Sequence, residues 1–416
     1  MKNKQVAPSL RFKKANGEDY PPWEQRELKE CLSFMKDGTH GSHSDASVGP
    51  LLLSAKNIKD GRLIIEEGKE RRICQNEFEK IHKNFHLQVN DILLTIVGTI
   101  GESTKLLNAA GITFQRSVAF LRTKDFIDPD YLNTYIKTED FQGALAQRKS
   151  TSAQPGIYLG DLASISISFP SMENQKKIGL FFGRLDELIT LHQRKVESVK
   201  KLKKSLLQKM FPKEGETVPA IRFPGFTDAW EQRKLGEYAC KIQRTYEESS
   251  APIMMITSEG GFIEQSRRYS FNNAGKSLKK YILLYKGELA YNHGASKLRP
   301  YGSCFSLEHQ ESARVPYVYH CFSVSGHNAV FFSYLLNLSS IQKELRKLVS
   351  SGTRQDGLLN ISFEQYCSVP IKVPTKEEQQ KIATLFQELE RDITLHQRKV
   401  ETLKKLKKAL LQRMFI

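Results

Sequence analysis

The sequence lacks the features that would place the chain outside the cell or in a membrane. Its six cysteines include no CxxC pair and no framework spacing, which is typical of a reduced, intracellular protein. The N-terminus has no apolar core for a signal peptide, and the longest apolar run, residues 92–100, is too short to span a bilayer. We therefore predict a cytoplasmic protein.

The sequence also lacks a recognisable catalytic site. Tyr20–Trp23 is similar to the Pro-Pro-aromatic motif of amino-methyltransferases, but a tyrosine stands where Asp or Asn must accept hydrogen bonds from the target amine. Glu67–Lys69, with Asp60 upstream, is a loose match to a metal-dependent nuclease pattern. His40 and His43 have metal-like spacing but no zinc-pattern partners. We predict no catalytic residue, no metal site and no cofactor bound by the chain itself.

What the chain does contain is an internal duplication. Residues 191–211 and 395–415 match at all but four of 21 positions, at a constant offset of 204 residues. The phrase at Trp23–Leu28 also returns, with one exchange, at Trp230–Leu235. The repeated unit therefore begins before the tryptophan and ends after the 21-residue stretch, and the function must explain why two copies are needed.

Each copy of the 21-residue stretch predicts the end of a long helix. Apolar residues and one histidine recur at spacings of three and four, as in a coiled-coil seam. The seam comprises Phe182, Leu185, Ile189, His192, Val196 and Val199 in the first helix and Phe386, Leu389, Ile393, His396, Val400 and Leu403 in the second, and it continues through Leu202, Leu206 and Met210 and through Leu406, Leu410 and Met414. Neither helix is stable alone, so each should pack on the other.

Connectivity predicts the direction of the two helices. The second domain begins where the first helix ends, and the second helix begins where that domain ends, so the pair should be antiparallel, with a domain at each end and an approximate two-fold axis. Each helix should be on the order of 55 Å long. His192 and His396 could set the register of the seam; alternatively, they lie at its edge in contact with water.

The centres of the two repeats share an order of elements but few residues. Strands are predicted at 51–65 with a turn at 59–61, and at 91–100, 164–169, 253–257, 281–285, 288–292, 315–324 and 361–373, and helices at 129–149 and 328–349. We predict an α+β protein in which two homologous mixed α/β domains are separated by two long antiparallel coiled-coil helices. The predicted boundaries are a tail at 1–21, a domain at 22–172, a helix at 173–211, a linker at 212–229, a second domain at 230–375 and a second helix at 376–416.

The charge of the chain favours a polyanionic partner. Basic residues exceed acidic ones by 17, and each 21-residue stretch holds seven basic residues and one acidic residue. Nucleic acid is the first candidate partner and a membrane surface the second. Lysine faces that only keep a long helix soluble explain the charge equally well.

The pattern resembles the specificity (S) subunit of type I restriction–modification systems. The resemblance rests on the stretch from Arg222 to Leu235, on the paired LHQRKVE helices, and on the Pro-x-x-Glu-x-Gln-x-Lys-Ile starts at Pro170 and Pro374. It covers essentially the whole chain. The first repeat departs from the second at Arg11–Lys14, which lacks the Pro-Gly-Phe continuation.

The resemblance implies two target recognition domains that each read one half of a bipartite, asymmetric site in double-stranded DNA. The helices would set the spacing and dock two adenine-methyltransferase modification subunits, and restriction subunits would complete the complex. S-adenosylmethionine, ATP and Mg would then be bound by those partners. A spacer of about 50 Å corresponds to at most about 15 bp between half-site centres.

Candidate DNA contacts are polar and basic residues in the loops of the two centres. Arg, Gln and Asn suit bidentate contacts with base edges, but any of them could contact phosphate instead. The candidates are Lys36, His40, His43, Arg116, Arg148, Lys149 and Gln154 in the first domain and Arg267, Arg268, His293, Lys297, Arg299, Arg354 and Gln355 in the second. Two alternatives stay open: an enzyme that uses Lys69 or Trp23, and a coiled-coil scaffold whose basic helices hold acidic proteins.

Overall fold

The computed structural model of the protein describes residues 8–14, 16–66, 68–150, 155–245, 250–258, 260–268, 275–349 and 358–415, the side chains of 275–277 excepted. The chain divides into two compact units. Unit 1 comprises residues 1–194 and 396–416, and unit 2 comprises residues 195–395. Each unit therefore contains one mixed α/β domain, the beginning of one long helix and the end of the other.

Unit 1 contains eleven short strands and five short helices among its described residues, followed by the long helix α6. The strands are β1 (Glu24–Glu27), β2 (Leu32–Asp37), β3 (Leu51–Leu53), β4 (Ile58–Lys59), β5 (Arg62–Leu63), β6 (Arg71–Arg72), β7 (Ile92–Thr95), β8 (Ser103–Lys105), β9 (Ile112–Phe114), β10 (Val118–Thr123) and β11 (Ser166–Phe169). The helices are α1 (Leu28–Cys31), α2 (Gln75–Ile81), α3 (Pro129–Tyr135), α4 (Glu139–Gln147), α5 (Leu159–Ala163) and α6 (Met172–Lys209).

Unit 2 has a similar order of elements, with ten strands and three short helices among its described residues before its long helix. Its strands are β12 (Glu231–Lys234), β13 (Ala239–Lys241), β14 (Met254–Thr257), β15 (Gly261–Glu264), β16 (Ile282–Tyr285), β17 (Leu289–Asn292), β18 (Ser303–Ser306), β19 (Ser312–Val315), β20 (His320–Val324) and β21 (Pro370–Val373). Its helices are α7 (Ala329–Leu335), α8 (Ser339–Leu348), α9 (Phe363–Cys367) and α10 (Lys376–Met414).

The main sheets of the two units are equivalent. The four-stranded sheet has the order β2-β10-β7-β8 in unit 1 and β13-β20-β17-β18 in unit 2, and β1 pairs with β11 as β12 pairs with β21. These pairings are antiparallel; β3 and β9 pair in parallel. The predicted α+β fold with two homologous domains is confirmed.

Each domain has one larger core between its main sheet and its helices and a smaller core that the main sheet shares with the remaining strands. In unit 1 the larger core joins the sheet to Tyr131, Leu132 and Phe141 of α3 and α4, and includes Phe182 of α6. In unit 2 it includes Phe331, Phe332 and Phe386 at the equivalent places. The beginning of each long helix is thus part of a domain core.

A buried glutamine fixes each long helix to its domain. Gln175 accepts a hydrogen bond from Asp128 N at 2.9 Å and donates to Pro170 O at 2.9 Å. Gln379 accepts from Asn328 N at 3.2 Å and donates to Pro374 O at 2.9 Å. Since Asp128 and Asn328 cap the helices α3 and α7, each glutamine joins two helix starts.

Several predicted elements differ from the observed ones, and the strand predicted at 315–324 is divided between β19 and β20. The helix predicted at 129–149 is broken at 136–138, because Thr138 caps a new helix by accepting a hydrogen bond from Phe141 N. The helix predicted at 328–349 also breaks, between Leu335 and Ser339, without a side-chain cap on α8. The strand predicted at 361–373 is confined to Pro370–Val373, since Ser362 caps the short helix α9.

The two long helices run antiparallel, as predicted. In unit 1, the ring of Phe182 lies 5.8 Å from that of Phe415, and His192 faces His396. In unit 2, Phe386 lies 6.3 Å from Phe211. The residues named as seam positions are buried or half-buried: Phe182, Leu185, Ile189, His192, Val196 and Val199, and Phe386, Leu389, Ile393, His396, Val400 and Leu403.

The continuation of the seam needs a correction. Leu202 and Leu406 are 49% and 47% exposed, whereas the pairs Leu206–Leu207 and Leu410–Leu411 pack against the domain cores. A helix of 3.6 residues per turn drifts away from a strict 3.5-residue repeat, so the apolar face moves round the helix. Among the described residues, none of the helices is both long and apolar enough to cross a bilayer.

Candidate nucleic-acid interface

In unit 1, strand ends bring three predicted contact residues together. Lys36 is near the end of β2, His40 follows that strand, and Arg116 precedes β10. The backbone N–H of Arg116 donates to Thr39 O at 3.0 Å, and Thr39 forms a parallel bridge with Gln115. The side chains of Lys36, His40 and Arg116 are exposed, so this end of the sheet presents basic and imidazole groups to solvent.

The loop after α4 joins the same end of the domain. Ser150 N donates to Gly156 O at 2.9 Å, and Gly156 bridges to Val97, whose own N–H donates to Ser117 O at 3.4 Å. Arg148 and Lys149 stand at the start of this loop. Val97 therefore connects their segment to Ser117, the residue that follows Arg116. Lys149 is exposed, whereas Arg148 is half-buried and donates to Ala144 O.

His43 is held inside the loop rather than on its surface. Its Nε2 lies 2.9 Å from Thr39 Oγ1, and its Nδ1 lies 2.6 Å from Glu77 Oε1. His40, by contrast, is exposed and its Nε2 lies 2.6 Å from Asp37 Oδ2. The two histidines thus have different carboxylate partners. In the described parts of the chain, no group of three His, Cys, Asp or Glu side chains could hold a metal ion.

In unit 2, the side chains of two predicted DNA-contact residues bind backbone carbonyl groups of their own domain. His293 is 6% exposed, and its Nδ1 lies 2.9 Å from Leu359 O. Arg299 donates to Ser258 O and to Asn337 O, both at 3.0 Å, and burial lowers the pKa of its guanidinium. These contacts give both side chains a positioning role, because they join the 293–302 loop to three other loops, at Ser258, Asn337 and Leu359.

The remaining candidates of unit 2 lie at separate places. Lys297 is exposed in the loop after β17, beside Leu298, which is 61% exposed. Arg267 and Arg268 follow β15 at the base of the β14–β15 hairpin, where Gln265 N donates to Ile253 O. Gln154, Arg354 and Gln355 lie outside the described residues.

The helices carry a pair of equivalent ion pairs that sequence reasoning missed. In unit 1, Lys407 Nζ lies 2.5 Å from Asp186 Oδ1, and Lys137 lies 3.4 Å from the other carboxylate oxygen. In unit 2, Lys203 pairs with Glu390. Asp186 and Glu390, like Lys203 and Lys407, are 204 positions apart, so the constant offset of the repeat was the signal that could have identified them.

Each long helix ends in an aromatic pocket. Phe415 contacts the rings of Trp23, Tyr131, Tyr135 and Phe182 in unit 1, and Phe211 contacts Trp230, Phe331 and Phe386 in unit 2. The repeated tryptophan therefore receives the repeated C-terminal phenylalanine. Trp23 packs here, and Tyr20 is buried with its hydroxyl donating to Glu173 at 2.8 Å, so both have structural roles.

The duplicated chain matches one protein family twice. Residues 52–201 and 229–405 each match the model of the type I restriction modification DNA specificity domain, and together they make up well over half of the chain. The described interface residues from Lys36 to Arg299 lie within or beside these two regions.

Curated relatives and a solved structure agree with this match. The type I restriction enzyme MjaIX specificity subunit of Methanocaldococcus jannaschii is 26% identical over 392 residues, 87% of this chain and 85% of the relative. The EcoBI specificity subunit of Escherichia coli is 27% identical over 197 residues, 45% of this chain and 41% of the relative. The chain spans about half the length of other curated relatives that it matches, 55% of one and 47% of another.

The fold is similar to that of a crystal structure of a type I restriction-modification system S subunit from M. genitalium, with a TM-score of 0.64 at 15% identity and coverage of 99% of both chains. Since the family model matches both repeats and most of the sequence, the chain belongs to the family of type I restriction modification DNA specificity domains.

Proposed function

We propose that this chain is the non-catalytic DNA-recognition subunit of a type I restriction–modification complex, in which each domain reads one half of a bipartite site in double-stranded DNA. One observation carries the proposal: two copies of one frame, matched twice by the family model, carry different loops. Two domains that share a fold but differ in their surface loops are suited to recognise two different half-sites.

The loops differ in chemistry as well as in sequence. In unit 1, the sheet end carries exposed Lys36, His40, Arg116 and Lys149. In unit 2, Lys297 and Leu298 are exposed, while His293 and Arg299 support the loop from within. Lysine and arginine supply affinity through phosphates, and polar or apolar groups at base edges supply specificity. Each domain would therefore prefer its own base sequence.

The helices act in this proposal as a spacer of fixed length. The equivalent ion pairs at Asp186 and Glu390 and the aromatic pockets around Phe415 and Phe211 hold each helix crossing in one register within its unit. If the helices set the spacing between the two domains, as the proposal requires, the number of base pairs between half-sites is constant.

The helices would also dock two modification subunits. Leu191 and Leu395 occupy equivalent positions in the two repeats and are 60% and 46% exposed, and Leu202 and Leu406 are exposed to a similar degree. The exposed leucines thus offer apolar surface at the same places in both repeats. Two equivalent surfaces suit two copies of one partner, which would bind S-adenosylmethionine; restriction subunits would add ATP and Mg chemistry.

The alternatives differ in what purified protein would do. A scaffold would hold its protein partners without preference among DNA sequences. An enzyme would need Trp23, which is half-buried and packs against the core, or Lys69, whose side chain pairs with Glu66 at 2.6 Å.

The test is selection from a library of randomised duplexes with the purified full-length chain, alone and with its modification subunit, at two salt concentrations. The proposal predicts enrichment of two short blocks separated by unselected positions. Recovery of one continuous block, or of no sequence above the starting library, would contradict it. Methylation of DNA by the chain alone would favour the enzyme alternative.

A further inference from the structure

The segment between β2 and β3 in unit 1 is ordered by polar side chains rather than by a core. Residues 40–48 contribute no fully buried side chain, and Ser42, Ser44, Ser47 and Val48 are exposed. Val48 is 81% exposed, more than any other large apolar residue among the described residues. A loop of serines and glycine without apolar anchors would ordinarily sample many conformations.

Three side chains from outside the loop hold it in one conformation. Arg71 donates to Asp45 at 2.6 Å and to the His43 carbonyl oxygen at 2.7 Å. Arg72 donates to Gly49 O at 2.7 Å, and Glu77 contacts the His43 ring at 2.6 Å. Both arginines are therefore engaged with the loop, and their guanidinium groups fix its path at its middle and at its end.

The loop starts beside the basic residues of the candidate interface. Thr39 O accepts from Arg116 N, and Thr39 Oγ1 contacts the His43 ring. Hydroxyl groups can accept from or donate to any base edge, and an exposed aliphatic group suits the methyl group of thymine. These groups carry no net charge, so they suit base discrimination better than non-specific attraction to phosphate.

We propose that residues 40–48 form a preorganised base-reading loop of the first domain, and that Arg71, Arg72 and Glu77 are positioning residues that do not touch DNA. Folding fixes the loop before DNA arrives, which removes the ordering cost from the binding step. The proposal rests on the proposed function and adds which segment reads bases in one half-site.

A hydroxyl, an imidazole and a carboxylate in a chain also form the arrangement of an activated nucleophile. Here the side chain of His43 is only 9% exposed, and the carbonyl of the same residue is held by Arg71. The geometry therefore suits a fixed loop rather than a group that must exchange protons with a substrate.

The test compares variants in the randomised-duplex selection, with a fixed random-sequence duplex as the probe of non-specific affinity. Arg71→Ala and Glu77→Ala should flatten base preference in one block by about tenfold or more per lost contact. The other block and the affinity for the random duplex should stay within about twofold of wild type. Glu77→Gln should restore the preference, because its amide oxygen can still accept from the His43 ring.

A second set of variants tests whether misfolding could explain the effect of the first set. His40→Ala, Ser44→Ala and Val48→Ala change exposed side chains and should flatten the same block with an unchanged unfolding temperature. The loop proposal is overturned if these variants retain the wild-type base preference in both blocks. It is also overturned if they lower the affinity for the random-sequence and selected duplexes equally while base preference persists. Absence of any block with the wild-type chain would instead count against the proposed function.

Discussion

The Nδ1 atom of His192 lies 3.0 Å from the Nδ1 atom of His396, so equivalent residues of the two repeats meet across the antiparallel helices. Their ring centroids are 5.0 Å apart. One ring must donate and the other accept, which two neutral imidazoles can do and two charged ones cannot. Both histidines are half-buried. They therefore lie in the seam, as one interpretation expected, and also at its edge in contact with water, as the other expected.

This contact predicts a loss of stability in weak acid. The pKa of His192 is lowered, first by burial and then by the charges of His396 and Lys399. Unfolded histidine has a pKa near 6.5, so the contribution of His192 is complete above that pH and is lost as the pH falls below it. The unfolding temperature of the double variant His192→Asn/His396→Asn should fall less between pH 7.5 and 5.5 than that of wild type. The exposed-residue control His309→Asn should behave as wild type, and an unchanged fall in the double variant would show that the lowered pKa of His192 does not contribute to the loss.

Removal of the carboxylate at Asp186 should destabilise unit 1. Burial and the neighbouring charge of Lys407 lower the pKa of Lys137, and Asp186 opposes both effects. Asp186→Asn leaves two lysine side chains without their shared counter-charge and should cost roughly 1–2 kcal/mol, because the carboxylate is partly exposed. Urea unfolding of the full chain measures the cost. Glu197→Gln, an exposed change on the same helix, is the matched control, and equal stability of the two variants would refute the prediction.

The aromatic pockets should contribute more. Phe415 is 6% exposed and packs among four rings, and Phe211 is 3% exposed in the equivalent pocket. Phe415→Ala and Phe211→Ala should each cost about 3 kcal/mol through lost burial and the resulting cavity. Phe415→Leu should recover part of this loss. Denaturant titration gives the values, and a cost below about 1 kcal/mol would mean that the helix ends are not anchored in these pockets.

The basic end of the first domain should determine DNA affinity. Arg116 precedes β10, and Lys124 follows the same strand at its other end; both are exposed. Arg116→Ala should weaken binding to the selected duplex by about 1–3 kcal/mol, while Lys124→Ala should not. If Arg116 contacts a phosphate, the salt dependence of binding should also decrease by about one unit of slope. Anisotropy titrations at several salt concentrations would separate these results, and equal losses from both variants would place DNA elsewhere.

The features that could be predicted from the sequence are those that follow from its internal repeat and from the spacing of its apolar residues. The offset of 204 residues identifies two homologous domains, and the apolar spacing identifies the antiparallel helices with residues such as Phe182 and Phe386 at their seam. The break at 136–138 escaped prediction because a single threonine cap decides it.

The candidate interface was harder to predict because its geometry depends on residues that are distant in sequence. His43 meets Glu77 across 34 positions, and His293 meets Leu359 across 66. Nothing in the local sequence distinguishes the exposed His40 from the enclosed His43, or the loop-holding Arg71 from the exposed Arg116. Only the tertiary pairing of strands and loops assigns these side chains to solvent or to support.

The most direct test is to map methylated adenines in the genome of cells that express this chain with its modification subunit. The account predicts one split motif with two invariant blocks, a constant number of unspecified base pairs between them, and a change in only one block when a loop of one domain is altered. A continuous motif, a variable gap, or methylation at the same sites without this chain would contradict the claim that two domains read two half-sites at a fixed distance.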